Sequence, residues 1–305
     1  MTTCRWRRTA SSESDGFEAR GVGPWQRVPI AEVPVRRLIN RMPGRAATLG
    51  LGLLPFALVA IAYLFGSHMR LQDNPADKLL PPPAAMADAI ERLAVEPSKR
   101  SGQRLLWADT AASLQRLGLG VGLSAILGLV FGVAIGVVPY VRATLGHFLV
   151  VLSMIPPLAV LPILFIVFGL GEVSKVVLIV IGVAPFLMRD LAARVAELPR
   201  ELMIKAQTLG ASTWQIVTRV VLPQLWPRLI HSVRLMLGPA WLFLIAAEAI
   251  AATEGLGYRI FLVRRYLAMD VILPYVAWIT LLAFLFDWLL QQCARRAFPW
   301  AEPAP

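Results

Sequence analysis

Long apolar blocks alternate with shorter polar connections along this chain. Six stretches, at about 46–66, 111–138, 147–170, 173–190, 230–252 and 270–292, are each mostly apolar. About 20 such residues cross the roughly 30 Å of membrane hydrocarbon as a helix. Apolar residues run on within the blocks without period-two alternation, which predicts helices rather than barrel strands. Only helices and closed barrels satisfy every backbone group in lipid. The pattern therefore predicts an all-α integral membrane protein of about six transmembrane helices.

Three blocks carry further signals. The second places Gly128, Gly132 and Gly136 four residues apart on one helix face, a spacing that lets membrane helices approach closely. The third contains Pro156-Pro157 and Pro162, which break the hydrogen-bond ladder and predict a bent span facing the bundle interior. The fifth contains Glu248 among alanines, isoleucines and leucines. An acid at membrane depth is expensive and belongs in the bundle interior or a cavity. It either lines or gates a solute path, or it is a protonated or hydrogen-bonded structural acid at a helix interface. Between the first two blocks, 67–109 reads as a loop, because Pro75 and Pro81-Pro82-Pro83 exclude a continuous helix. Within it Met86, Ile90 and Leu93 recur at helical spacing, predicting a short amphipathic helix at the membrane interface or a contact surface for an extracytoplasmic protein.

Composition supports this class: 57% of residues are hydrophobic and 16% charged, too apolar for an ordinary soluble domain. The net charge of +11 does not indicate nucleic acid, since the basic residues flank the apolar blocks. Arg36, Arg37, Arg41, Arg45, Arg142, Arg189, Arg194, Arg295 and Arg296 fall on one side if both termini are cytoplasmic, and the positive-inside bias favours that orientation. Residues 1–45 then form a basic, poorly ordered cytoplasmic arm, 46–299 a transmembrane domain and 300–305 a short tail. Cys4 and Cys293 lie on the reducing side, so neither disulfide nor metal site is expected. No cofactor is implied. The phosphate-loop, zinc-protease and serine-hydrolase signatures are absent, so any nucleotide chemistry belongs to a partner.

The polar segment Glu201 to Pro223 interrupts two strongly apolar blocks within a connection at about 191–228. Ala206 and Gly210, four residues apart, make a small face on a helix, and Leu209 beside them offers an apolar knob. Such a helix suits docking into a groove on a soluble partner. The segment resembles the coupling loop of ABC-importer permeases, which reads E-A-A, three residues, Gly, nine residues, I-x-L-P. Ala206 matches the second alanine and Gly210 the glycine; nine residues, Ala211 to Arg219, lead to Val220, Val221, Leu222 and Pro223. Ile204 and Lys205 depart from the pattern, and Glu201 stands one turn before the usual acid. The runs PPLAVLPILFIVFGLGEVSK and AAEAIAATEGLGYRIF resemble permeases of the nitrate, sulfonate and taurine type, and that likeness covers about residues 50–299.

The resemblance implies a permease subunit in the bacterial inner membrane, without its own ATPase site. It implies cytoplasmic ABC ATPase subunits, an extracytoplasmic solute-binding protein and a second copy of the chain, a homodimer, as partners beside membrane lipids. Glu201, Ala206, Leu209, Gly210, Ala211, Leu222 and Pro223 would couple to the ATPase. Pro156, Pro157, Trp241 and Glu248 are candidates for the translocation path. The solute would be small and anionic or polar; the runs RRYLAMDVILPYVAWITLLAFLFDWLL and VAPFLMRD also resemble a branch that suggests a urea- or guanidine-like solute. The competing class is a proton-coupled secondary transporter using Glu248 or Asp287, although such folds often carry internal repeats and none is evident.

Overall fold

A computed structural model describes residues 44–74, 77–98 and 102–301. The N-terminal arm, with Cys4, Arg36, Arg37 and Arg41, Pro75, and the tail from 302 onward lie outside these residues. The chain divides into a unit ending at Phe56 and a unit running from Ala57 to Pro305. The described residues are helical, with no strand among them. The elements are α1 (Arg45–Asp73), α2 (Pro83–Ala94), α3 (Leu105–Val137), α4 (Pro139–Leu152), α5 (Pro157–Phe168) and α6 (Glu172–Ala196). Then follow α7 (Arg200–Thr208), α8 (Thr213–Ile216), a π-turn (Val217–Val221), α9 (Leu222–Ala251), α10 (Leu256–Arg264) and α11 (Met269–Ala297). Among the described residues, five helical stretches are long and apolar enough to cross a membrane, or six if the bent pair α4–α5 is counted as one.

The boundaries differ from the apolar blocks in an instructive way. The first helix runs on to Asp73, into the region expected as loop, and α3 starts at Leu105. The fifth span begins at Thr213 rather than near 230, giving a continuous helical stretch of 39 residues. Polar residues prolong a helix as readily as apolar ones once its ladder is nucleated, so hydropathy marks the lipid-facing part and not the end. The third block is not one gently bent span: α4 and α5 meet at 95° across a short break. Pro157 favours extended backbone at Pro156 (φ −67°, ψ 117°) and then occupies the first turn of α5, where its missing N–H is harmless.

The core is built on α3 against α6, because α3 has a stripe of glycines where α6 has branched side chains. A Cβ at Gly120 would lie 2.7 Å from Ile179, one at Gly128 2.7 Å from Leu187 and one at Gly132 2.8 Å from Leu191, while Gly136 abuts Val195. Those four α6 side chains are at most 5% exposed. Helix α9 covers the other side of α6, with Phe243 seated over Gly182. The amphipathic helix expected around Met86 is α2; Met86, Ile90 and Leu93 line an apolar groove of 560 Å³ with Trp278 and Leu281 of α11. Pro81 and Leu80 are tied to α1 by hydrogen bonds donated by Tyr63 (2.6 Å) and Ser67 (2.9 Å).

Two ends of this unit matter below. One holds the starts of α3, α6 and α11, the end of α9, and α10. The other holds the ends of α3 and α6 with α7 and α8.

Candidate functional site

At the second end residues 201–223 form a helix–turn–helix. Helix α7 stops at a Schellman turn: Ala211 N–H donates to Ala206 O (3.0 Å) and Gly210 N–H to Gln207 O (2.9 Å). That geometry needs a residue in the left-handed region one place past the cap, and Gly210 adopts φ +77°. The alanine-to-glycine spacing is therefore also the spacing of a helix stop. The next helix starts at once with a capping box, in which Ser212 Oγ accepts from Gln215 N–H (3.3 Å) and Gln215 Oε1 from Ser212 N–H (2.8 Å).

This fixed turn leaves its apolar residues uncovered: Leu209 is 86% and Trp214 74% exposed. A Cβ at Gly210 would meet nothing within 4 Å. Glu201 is exposed, while Ala206, Ala211 and Leu222 are half-buried against the core. Pro223 is exposed and explains the π-turn before it. Having no N–H and a ring that crowds the carbonyl four residues back, it favours a wider turn; Leu222 N–H accordingly reaches Val217 O. From Thr213 onward this segment is thus one helical body with the fifth span.

At the opposite end, three carboxylates and three cations meet. Glu248 is fully buried; it accepts from Ser113 Oγ (2.8 and 3.0 Å), Arg116 (2.7 Å) and Gly257 N–H (2.9 Å). Arg116 also donates to Glu254 O (2.8 Å) and, in a bidentate pair, to Glu172. Lys175 reaches the same Glu172 at 2.9 Å. Asp109, also fully buried, accepts from Gly255 N–H (2.9 Å), Arg259 (2.8 and 3.2 Å) and Tyr275 (3.1 Å). Leu256 N–H donates to Ser113 (2.9 Å). The amides at the start of α10 thus point at carboxylates and a hydroxyl on α3 and α9, as helix N-termini favour. Gly255, at φ +132°, lies so near Glu248 that a Cβ would sit 2.6 Å from its carboxyl carbon. This network closes the 252–257 reversal onto α3.

The remaining candidates are dispersed. Trp241 is 4% exposed, and its indole N–H has no partner among the described residues. Pro156 is exposed and Pro157 half-buried at the α4–α5 break. Asp287 forms a bidentate pair with Arg234 (2.8 Å each) near the second end, 53 residues apart in sequence. Neither Glu248 nor Asp287 stands unpaired. Among the described residues no cluster has the makings of a metal site. Sequence reasoning missed Asp109, Ser113, Arg116, Glu172 and Arg259. Arg116 had a readable signal, since a guanidinium inside the second apolar block carries the same desolvation cost that singled out Glu248.

Helices of membrane-crossing length packed on glycine contacts, with an ordered turn at one end, define a multi-span membrane protein. Residues 124–298 match the family model described as "Binding-protein-dependent transport system inner membrane component". The taurine transport system permease protein TauC of Escherichia coli is 36% identical over 267 residues, 87% of this chain and 94% of the relative. A putative aliphatic sulfonates transport permease protein SsuC of Bacillus subtilis is 28% identical, covering 81% and 86%. The inward-facing MetNI methionine ABC transporter shares the fold, with TM-score 0.53 at 22% identity over 63% of this chain and 94% of that one. The chain belongs to the binding-protein-dependent inner-membrane transport family, as an ABC-importer permease of the nitrate, sulfonate and taurine type.

Proposed function

We propose that this permease forms the translocation path for a small anionic or polar solute and is driven by separate cytoplasmic ATPase subunits through residues 201–223. Two copies surround one path, an extracytoplasmic binding protein delivers the solute, and both termini lie in the cytoplasm with the basic arm 1–45. The observation that carries this reading is the Gly210 turn. Leu209 and Trp214 are held out by a Schellman turn and a capping box, on a body continuous with the fifth span. Exposed apolar side chains on a rigid turn suit insertion into a groove on a partner. Force applied there moves the whole helix Thr213–Ala251.

Ala206, Ala211 and Leu222 seat the turn on the bundle; Glu201, Leu209, Gly210 and Pro223 face the partner. The proline break at Pro156-Pro157 supplies irregular backbone beside the path, and Trp241 lies behind its wall. Glu248 acts as a structural pin rather than a gate, because its oxygens are occupied by Ser113, Arg116 and Gly257. The relatives' names favour a solute bearing a sulfonate or nitrate-like group over a urea-like one. The test is co-purification from membranes: the chain retains an ABC ATPase, and Gly210→Trp releases it while membrane abundance holds. Retention of the ATPase by Gly210→Trp would overturn the docking role.

A further inference from the structure

Five of the six charged side chains at the Glu248 end are wholly or largely withdrawn from solvent, and they do not balance. Arg116 and Lys175 are 7% and 3% exposed at the side chain and Arg259 14%, against Asp109 and Glu248 at 0%. Three cations face two acids, leaving one surplus positive charge. Glu254 adds only its backbone carbonyl to Arg116. The surplus is met by Glu172, whose side chain is 61% exposed. Glu172 lies across Arg116 as a bidentate pair and takes the Lys175 ammonium on Oε1 at 2.9 Å. It is also the first residue of α6, whose N-terminus adds partial positive charge.

We propose that Arg116 and Lys175 form a binding site for the acid group of a monoanionic solute, occupied here by Glu172 as an intramolecular stand-in. A guanidinium fork and an ammonium accept sulfonate or carboxylate oxygens by the same geometry. Arg116 is held by Glu248 and the Glu254 carbonyl and Lys175 is buried, whereas the Glu172 carboxylate rests on these two cations and is open to water, so exchange moves one exposed side chain. A monoanion entering as Glu172 swings out leaves the buried charge neutral, while a neutral or cationic solute leaves it uncompensated. The proposal rests on the anionic-solute reading of the proposed function. It is tested by anion binding to the isolated chain, so its failure leaves the anionic-solute reading to be judged separately by uptake of the solute.

The experiment follows the melting temperature of the detergent-purified full chain in sodium methanesulfonate or acetate, at constant ionic strength with sodium chloride. Glu172→Ala is expected to melt below wild type in chloride and to recover as either small acid anion is added. Wild type should respond at about tenfold higher concentration, because Glu172 competes for the site. Glu172→Ala combined with Lys175→Gln should lose the response. Glu172→Gln serves in the same series if the alanine variant does not fold. Insensitivity of both single variants, or an undiminished response with Lys175→Gln present, would overturn the site. A response confined to the variants and absent from wild type would overturn its role for the solute.

Discussion

The two ends of the Ala57–Pro305 unit hold themselves together in opposite ways. At the Glu248 end, buried acids, guanidinium groups and α10 amides satisfy one another across α3, α6, α9, α10 and α11. At the Gly210 end the backbone is equally ordered, yet the large side chains Leu209 and Trp214 face outward with little of their surface covered. Internal polar closure gives a rigid end that needs nothing further from outside except at Glu172. Local backbone closure with uncovered apolar side chains gives the end that the proposed function assigns to a partner. In the proposed function the first end is the fixed anchor and the second the handle.

The largest effect should come from breaking the closed end. Arg116→Met leaves Glu248 buried beside Ser113 without its cation, a loss of about 3–5 kcal/mol. Membrane abundance and resistance to thermal aggregation should collapse, and Arg116→Met with Glu248→Met should recover much of the loss. If the double variant is no better than the single one, the pair is not the pin described here. Glu248→Gln alone should lower abundance and uptake together. Uptake lost at full abundance would instead restore a gating role to this residue.

The next effect lies between the ends. Gly132→Leu drives a side chain into Leu191, whose Cβ is already 2.8 Å from where a Cβ would sit. Overpacking of this kind costs about 1–3 kcal/mol, and more where backbone cannot move apart. The thermal unfolding of Gly132→Leu against Gly118→Leu checks it, since Gly118 has nothing within 4 Å. Equal destabilisation at both positions would refute the α3–α6 contact.

The smallest effects on stability belong to the open end, where the side chains proposed to couple are largely uncovered. Ser212→Ala removes a helix cap worth about 1 kcal/mol. The expected outcome is a small fall in melting temperature with a larger fall in ATPase retention on pull-down. Leu209→Asp should leave melting unchanged and abolish that retention. A melting temperature that drops with Leu209→Asp would mean the residue packs within the chain.

Much of the open end was readable from sequence, and little of the closed end was. Ala206, Gly210 and Ser212 lie within a few residues of one another, so the spacing that makes the turn is printed along the chain. Six apolar blocks were readable for the same reason, because membrane thickness sets a local length. The double proline announced a bend at 156–157, but a 95° turn into α5 depends on what surrounds it. Hydropathy does not mark the helix ends at Asp73 and Thr213, because polar residues continue the helices past the apolar blocks. The closed network brings Arg116 to Glu172 across 56 residues and Asp109 to Arg259 across 150, and no local spacing records such pairs. Burial could flag Arg116 and Glu248 one at a time; only the folded chain says that they belong together.

The most direct measurement is solute uptake by vesicles reconstituted with this permease, its binding protein and labelled solute, with and without the ABC ATPase and ATP. Uptake should require the ATPase and ATP together and should vanish with Leu209→Asp. Concentrative uptake by the permease without any ATPase, or undiminished ATP-driven uptake by Leu209→Asp, would contradict the account.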